Sequence, residues 1–177
     1  MIITISGSAG SGKSTVAKYI ADKLDLTHYS NGDLMRQMAK EKGVSILELN
    51  KLSENDKTID KELDERQIRL GKDDDNFVID SRLGFHFIPN SFKVFLKADL
   101  RVRAERIFGD QRSEEHNTDV MHTIENIEKR QESEKLRYKE LYNVDYTDEA
   151  NFDLIVNTTD KTIDEVGEEV LKAVKKN

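Results

Sequence analysis

Residues Gly7-Ser8-Ala9-Gly10-Ser11-Gly12-Lys13-Ser14 match the pattern G-x-x-x-x-G-K-[ST], and the apolar run Ile2-Ile3-Thr4-Ile5-Ser6 leads directly into them. That order leaves few folds open. A strand has to deliver the loop and a helix has to leave it. Gly7, Gly10 and Gly12 let successive backbone N–H groups turn inward around an anion, and the helix adds its positive N-terminal end. Lys13 places a compact cation on β- and γ-phosphates, the Ser14 hydroxyl can ligate magnesium, and Thr15 carries the chain into the helix. The loop therefore predicts ATP as the ligand, with Mg2+ as its companion ion.

Downstream, short β-rich runs alternate with longer helical patterns, the mark of a parallel sheet covered by helices. Strands are expected at 2–6, 27–30, 77–80, 93–96 and 152–156. Helical patterns fill 13–24, 33–42, 46–52, 57–70, 100–107, 119–142 and 163–176. The fold class is thus α/β, a five-stranded parallel sheet with helices on both faces, and ligands bind beyond the carboxyl ends of its strands. Two helical stretches break the alternation, at about 33–76 and about 108–146. Each reads as an insertion over that carboxyl edge, one an acceptor-binding lobe and the other a lid on a single kinase domain spanning 1–177. The lone Pro89 falls in a loop before the fourth strand, and Lys72-Asp73-Asp74-Asp75-Asn76 reads as a solvated turn.

The net charge of -7 argues against non-specific nucleic-acid binding, which needs a basic field. An acidic chain that binds polyanionic nucleotides has to gather its arginines locally. With no cysteine and four scattered histidines, disulfides, thiol chemistry and a structural zinc site drop out. The first residues form a strand rather than a basic-then-apolar leader, and no apolar run approaches the roughly 20 residues that cross a bilayer. The expectation is a soluble cytoplasmic protein without a membrane or nucleic-acid partner.

Asp80 closes the apolar run Phe77-Val78-Ile79, where a carboxylate can face the loop and hold magnesium through water. Asp33 is a second candidate carboxylate, and equally reads as the N-cap of its helix. Arg36, one turn later, offers a planar fork for the phosphate of a second substrate, and Arg82 sits just past Asp80, suited to an anion. On the long helix, Val120, Ile124, Ile127, Tyr138 and Leu141 mark an apolar stripe, but its continuation meets the polar Gln131 and Glu134. Arg130, Glu134 and Arg137 share that side. A salt-bridged surface helix explains this, and so does a helix leaning over a polyphosphate.

Taken together, these residues resemble the nucleoside monophosphate kinases, and most closely the short archaeal-type cytidylate kinases. The resemblance runs over nearly the whole chain. It rests on the phosphate loop, Ser30-Asn31-Gly32-Asp33-x-x-Arg36, the stretch from Ile59 to Gln67, Asp80-x-Arg82-Leu83, Val102-Arg103-Ala104-Glu105-Arg106-Ile107, Arg130-x-x-x-Glu134-x-x-Arg137-Tyr138, and the run from Phe152 to Thr158. It implies transfer of the ATP γ-phosphoryl to CMP or dCMP by a monomeric cytoplasmic enzyme. Arg36 and Arg82 would hold the acceptor phosphate, with Asp33 beside them. Arg130 and Arg137 would come from the lid to neutralise the migrating group. Arg106 would lie near the donor, and the loop after Thr158 against the adenine. Ser81 stands where relatives usually have glycine, 84–88 departs from the usual continuation, and Asp110 and Gln111 replace basic residues, leaving Arg112 as a displaced lid candidate. Asp60, Asp64 and Gln67 belong to the lobe that meets the base, yet read most simply as a solvated helix face. The alternatives are a kinase for AMP or a small metabolite, which would use Asp33 as a base for a hydroxyl, and a non-kinase nucleotide switch, which would not need a second anion site.

Overall fold

The structure is a computed structural model that describes residues 1–45, 48, 49, 52, 56–110 and 119–176. Its frame is one five-stranded, all-parallel sheet in the order β2-β3-β1-β4-β5. The strands are β1 (Ile2–Gly7), β2 (Thr27–Ser30), β3 (Phe77–Asp80), β4 (Phe92–Lys97) and β5 (Leu154–Asn157). Helices α1 (Lys13–Leu24), α2 (Asn31–Lys42), α3 (Lys57–Asp73), α4 (Gly84–Phe87), α5 (Leu100–Gly109), α6 (Val120–Tyr142) and α7 (Ile163–Val174) connect and cover them.

Side-chain alternation in the strands divides the core in two. Ile3, Ile5, Val78, Val94, Leu96 and Val156 point to one face, where they meet Val16, Ala17, Ile20 and Ala21 of α1 and Val166, Val170, Leu171 and Val174 of α7. Ile2, Phe77 and Ile79 point to the other and pack on Ile88, Leu34 and Leu70. The polar residues that β1 turns to this second face are satisfied internally. Thr4 Oγ1 lies 2.9 Å from Ser91 Oγ, and Ser6 Oγ donates to the Ser81 carbonyl at 2.8 Å. The inner strands β1 and β3, buried along their whole length, read as near-continuous apolar runs, which is why their positions were legible from the sequence.

Beyond the carboxyl edge lie two satellite cores. Met38 and Ala39 of α2 pack with Leu49 and with Ile59 and Leu63 of α3. Ala104 and Ile107 of α5 pack on Ile127 of α6, with Ala9 of the loop against them. The helical pattern at 46–52 falls outside the described residues except for 48, 49 and 52, and Gln111 and Arg112 fall outside them altogether.

Several expectations are corrected. Helix α4 occupies most of 84–88, for which no helix was expected. Strand β5 begins at Leu154, because Phe152 turns off the strand to stack on Phe85 and Phe95. Leu141 is not in the buried stripe of α6 but exposed. Thr123, Ile127 and Glu134 make up the buried residues of that helix, with Tyr138 and Tyr142 half-buried beyond them. The stripe thus breaks in chemistry and not in geometry.

Candidate active site

Strand order reverses on either side of β1, and the loop 7–14 opens at that reversal. Gly7, Gly10 and Gly12 all have φ between +78° and +145°. At Gly10 a side chain would also collide with α5, since a Cβ there would stand 2.5 Å from the Arg103 carbonyl oxygen. The loop therefore follows a path that only glycine tolerates, held against both α1 and α5. Lys13 Nζ donates to the Ser8 carbonyl at 2.9 Å, which aims the ammonium into the concavity. Lys13 is partly exposed as a residue, yet protein atoms crowd its ammonium. Desolvation first, and then the Arg82 charge, bring its pKa down to about 7. A site that makes its own cation uncomfortable is short of an anion.

Register puts Asp80 in that concavity. It pairs with Ile5 on one side and Ser30 on the other, at the carboxyl end of the sheet. Asp80 is buried; its Oδ1 accepts from Ser14 Oγ at 3.2 Å, and its Oδ2 lies 2.9 Å from His28 Nε2. A hydroxyl and a carboxylate facing each other are the hard oxygen donors that magnesium prefers, so the residues present fit that ion. No signal in the sequence marks His28, which reaches Asp80 from the neighbouring strand.

Opposite the loop, α6 closes the crevice. Ala9, Arg82, Ile127, Arg130, Gln131, Glu134 and Tyr146 line it. Glu134 is buried, with Oε2 2.7 Å from Arg82 Nε and Oε1 accepting from Arg130 Nε at 3.0 Å. Tyr146, wholly buried, donates its hydroxyl to Glu134 Oε2 at 3.3 Å. Gln131 Oε1 accepts from both Ser8 Oγ and Arg103 Nη1, each at 3.3 Å, and so fastens α6 to the loop and to α5. The polar break in the stripe was the signal for Gln131 and Glu134.

The other predicted residues stand further apart. Arg106 donates to Thr158 and to the Gly10 carbonyl, behind the loop rather than inside it. Arg36 and Asp33 form an exposed ion pair across the first two turns of α2. Asp33 is not the N-cap: Ser30 is, accepting from the Asp33 amide at 3.0 Å while its hydroxyl donates to Asp33 Oδ2 at 2.7 Å. The hydrogen bond from Arg36, and then that from Ser30, hold the Asp33 carboxyl below its usual pKa. Such a carboxylate is a poor base. Arg137 turns away from Glu134 towards Asp60, 3.8 Å away.

Asp64 and Gln67 are corrected as well. Gln67 is buried and its Oε1 accepts from Ser81 Oγ at 2.6 Å, so Ser81 fixes an amide of α3 against the segment after β3. Asp64 is half-buried and accepts from the Tyr142 hydroxyl. Among the described residues, no cluster of three or more His, Cys, Asp or Glu is placed to hold a metal by itself.

A model of the cytidylate kinase-like family matches residues 2–160. The chain belongs to that family. It is 40% identical over 158 residues to the cytidylate kinase of Methanobrevibacter smithii, covering 89% of each chain. It is 42% identical over 176 residues to the cytidylate kinase of Natronomonas pharaonis, covering 98% of this chain and 89% of that one. The cytidylate kinase-like frame is shared more widely. Shikimate kinase from Bacteroides thetaiotaomicron superposes with a TM-score of 0.68 at 14% identity, over 99% of this chain and 98% of that one. A likeness at that identity concerns the fold alone. Among the described residues no helix is long and apolar enough to cross a membrane.

Proposed function

We propose that this chain transfers the γ-phosphoryl group of ATP to CMP or dCMP, giving ADP and the corresponding diphosphate. The observation that carries the reading is that Arg82 and Arg130 line a crevice with Ala9 of the phosphate loop, close enough to Lys13 for both charges to act on its ammonium. A nucleotide switch needs the loop, but it has no use for a second and third cation held beyond it. The cytidylate kinases that the chain resembles over most of its length supply the base.

Phosphoryl transfer leaves little covalent work to the protein, so catalysis is alignment and charge stabilisation. Residues Gly7 to Thr15 take the donor phosphates, with Lys13 on the β- and γ-groups and Arg106 supporting the adenine side. Arg36 and Arg82 take the acceptor phosphate, and Arg130 and Arg137 neutralise the group in flight. Magnesium, held by Ser14 and through water by Asp80, neutralises phosphate oxygens when bound. The acceptor phosphate is already an anionic nucleophile, so no side chain has to act as general base, and Asp33 orients Arg36 instead. The lobe at about 33–76 and the lid at about 108–146 close over the pair and exclude water, which would otherwise hydrolyse ATP. The enzyme works as a monomer in the cytoplasm.

A panel of nucleoside monophosphates, each incubated with ATP and magnesium while diphosphate formation is followed, tests the reading. CMP and dCMP should turn over well ahead of AMP, GMP and UMP. Equal turnover of AMP and CMP, or none of either, overturns it.

A further inference from the structure

Glu134 stands where a surface ion pair would be easy and is instead buried, 8% exposed. It lies one turn beyond Arg130, a spacing that on an open helix face gives a weak, screened pair. Here the carboxylate points inward and reaches a second guanidinium from a different part of the fold. Arg82 follows β3, whereas Arg130 belongs to the lid helix. Arg82 Nε lies 2.7 Å from Glu134 Oε2 as an ion pair without hydrogen-bond alignment, Arg130 Nε donates to Oε1 at 3.0 Å, and Tyr146 closes the set from the segment after α6. A buried carboxylate between two arginines is a poor way to stabilise a fold, since an apolar side chain of similar volume commonly does as well. Its geometry is better suited to holding two forks in fixed relation.

We propose that Glu134 is a positioning residue for phosphoryl transfer, its carboxylate setting the acceptor-side Arg82 and the lid Arg130 side by side so that they reach the reacting phosphates together. The inference rests on the kinase reading. Before nucleotides bind, Glu134 offsets the repulsion between the two guanidiniums and lets them stay close. Once phosphates arrive they supply that negative charge, and Glu134 serves only to keep the forks in line. Its charge then works slightly against the phosphates, so binding and rate are set against each other at this one residue.

That opposition makes the test specific. In Glu134→Gln the side chain keeps its shape and loses its charge. Turnover number should fall roughly 10- to 100-fold from misalignment, while KM for CMP and for ATP stays level or drops. Glu134→Asp, with the charge kept on a shorter arm, should recover part of the turnover. Melting curves check that both variants fold. If Glu134→Gln does not fold, Tyr146→Phe removes one contact to the same carboxylate oxygen and should lower turnover in the same direction without raising either KM. A purely structural role predicts the reverse pattern: lower melting temperature, raised KM values and no recovery with Asp. That pattern, or a Glu134→Gln variant as fast as the unaltered chain, overturns the inference alone. Absence of CMP turnover by the unaltered chain overturns the kinase reading, and this inference with it.

Discussion

Arg106 holds Thr158 at two points, donating from Nη1 to the side-chain hydroxyl at 3.0 Å and from Nη2 to the carbonyl at 2.7 Å. Thr158 in turn donates to the Ser11 carbonyl at 3.1 Å, so α5, the end of β5 and the phosphate loop form one unit. Each bond involves a charged donor or a buried loop carbonyl and contributes more than a surface contact. Arg106→Ala should loosen the loop on the side where the donor base lies. The expected result is an ATP KM raised about ten-fold, a cost near 1.4 kcal/mol, with the CMP KM unchanged within about two-fold. Initial rates with each substrate varied at saturation of the other decide it, and an equal rise in both KM values contradicts the donor-side placement.

Lys13 is the cation that this site holds against its own preference, and that yields a prediction in two parts. On the proposed function, replacement by Met removes the charge assigned to the migrating phosphoryl, so turnover should drop about a hundred-fold or more. The same change removes a desolvated ammonium whose pKa burial has brought down to about 7. The melting temperature of the ligand-free variant at neutral pH should therefore equal or exceed that of the unaltered chain. A variant that is inactive and also much less stable would mean that the lysine supports the loop more than it serves the phosphate.

How much of this could be read before folding follows from where the constraint lies. The frame was legible because the glycine loop, the apolar strands and Asp80 are local patterns, each tied to a short stretch of chain. Arg82 and Arg130 stood out as candidates for anion binding because charge beyond a strand end, or in the middle of an apolar stripe, is out of place. His28 was not, because nothing beside it in sequence shows that β2 and β3 will pair with Ser30 opposite Asp80. Nor was Gln67, whose burial depends on a serine 14 residues away. Glu134 was seen as a break in a pattern, but its partners come from three separate segments, and only the tertiary arrangement shows that the break is filled.

Arg36 is exposed and paired with Asp33 on α2, and the proposed function assigns it to the acceptor phosphate. Its loss should therefore be felt by one substrate only. Arg36→Ala should raise the CMP KM ten-fold or more, since a fork on a phosphate is worth roughly 1.5–3 kcal/mol, and leave the ATP KM within about two-fold. Arg36→Lys should recover little, because an ammonium does not reproduce the planar fork. Equal losses in ATP and CMP binding would remove Arg36 from the acceptor site.

The burial of Asp64 against α6 makes stability depend on pH in a direction opposite to that of most carboxylates. Burial lifts the Asp64 pKa to about 6, against 3.8 when free. The Tyr142 hydroxyl and Arg137 on α6 pull it back down, while Asp60 and Glu65 on its own helix push it further up. A carboxyl whose pKa is raised on folding favours the native state while it is protonated in both states, below about 3.8. That contribution is lost as pH rises through 6, where the native chain has to ionise a half-buried group. Asp64→Asn keeps the shape and an acceptor for Tyr142 but never ionises. Its melting temperature should exceed that of the unaltered chain by roughly 2–4 °C at pH 7.5, with the gap closing towards pH 4. Melting curves of both proteins at pH 4, 6 and 7.5 measure this. A gap that is constant across the range would show that the substitution acts through packing and that ionisation of Asp64 does not matter.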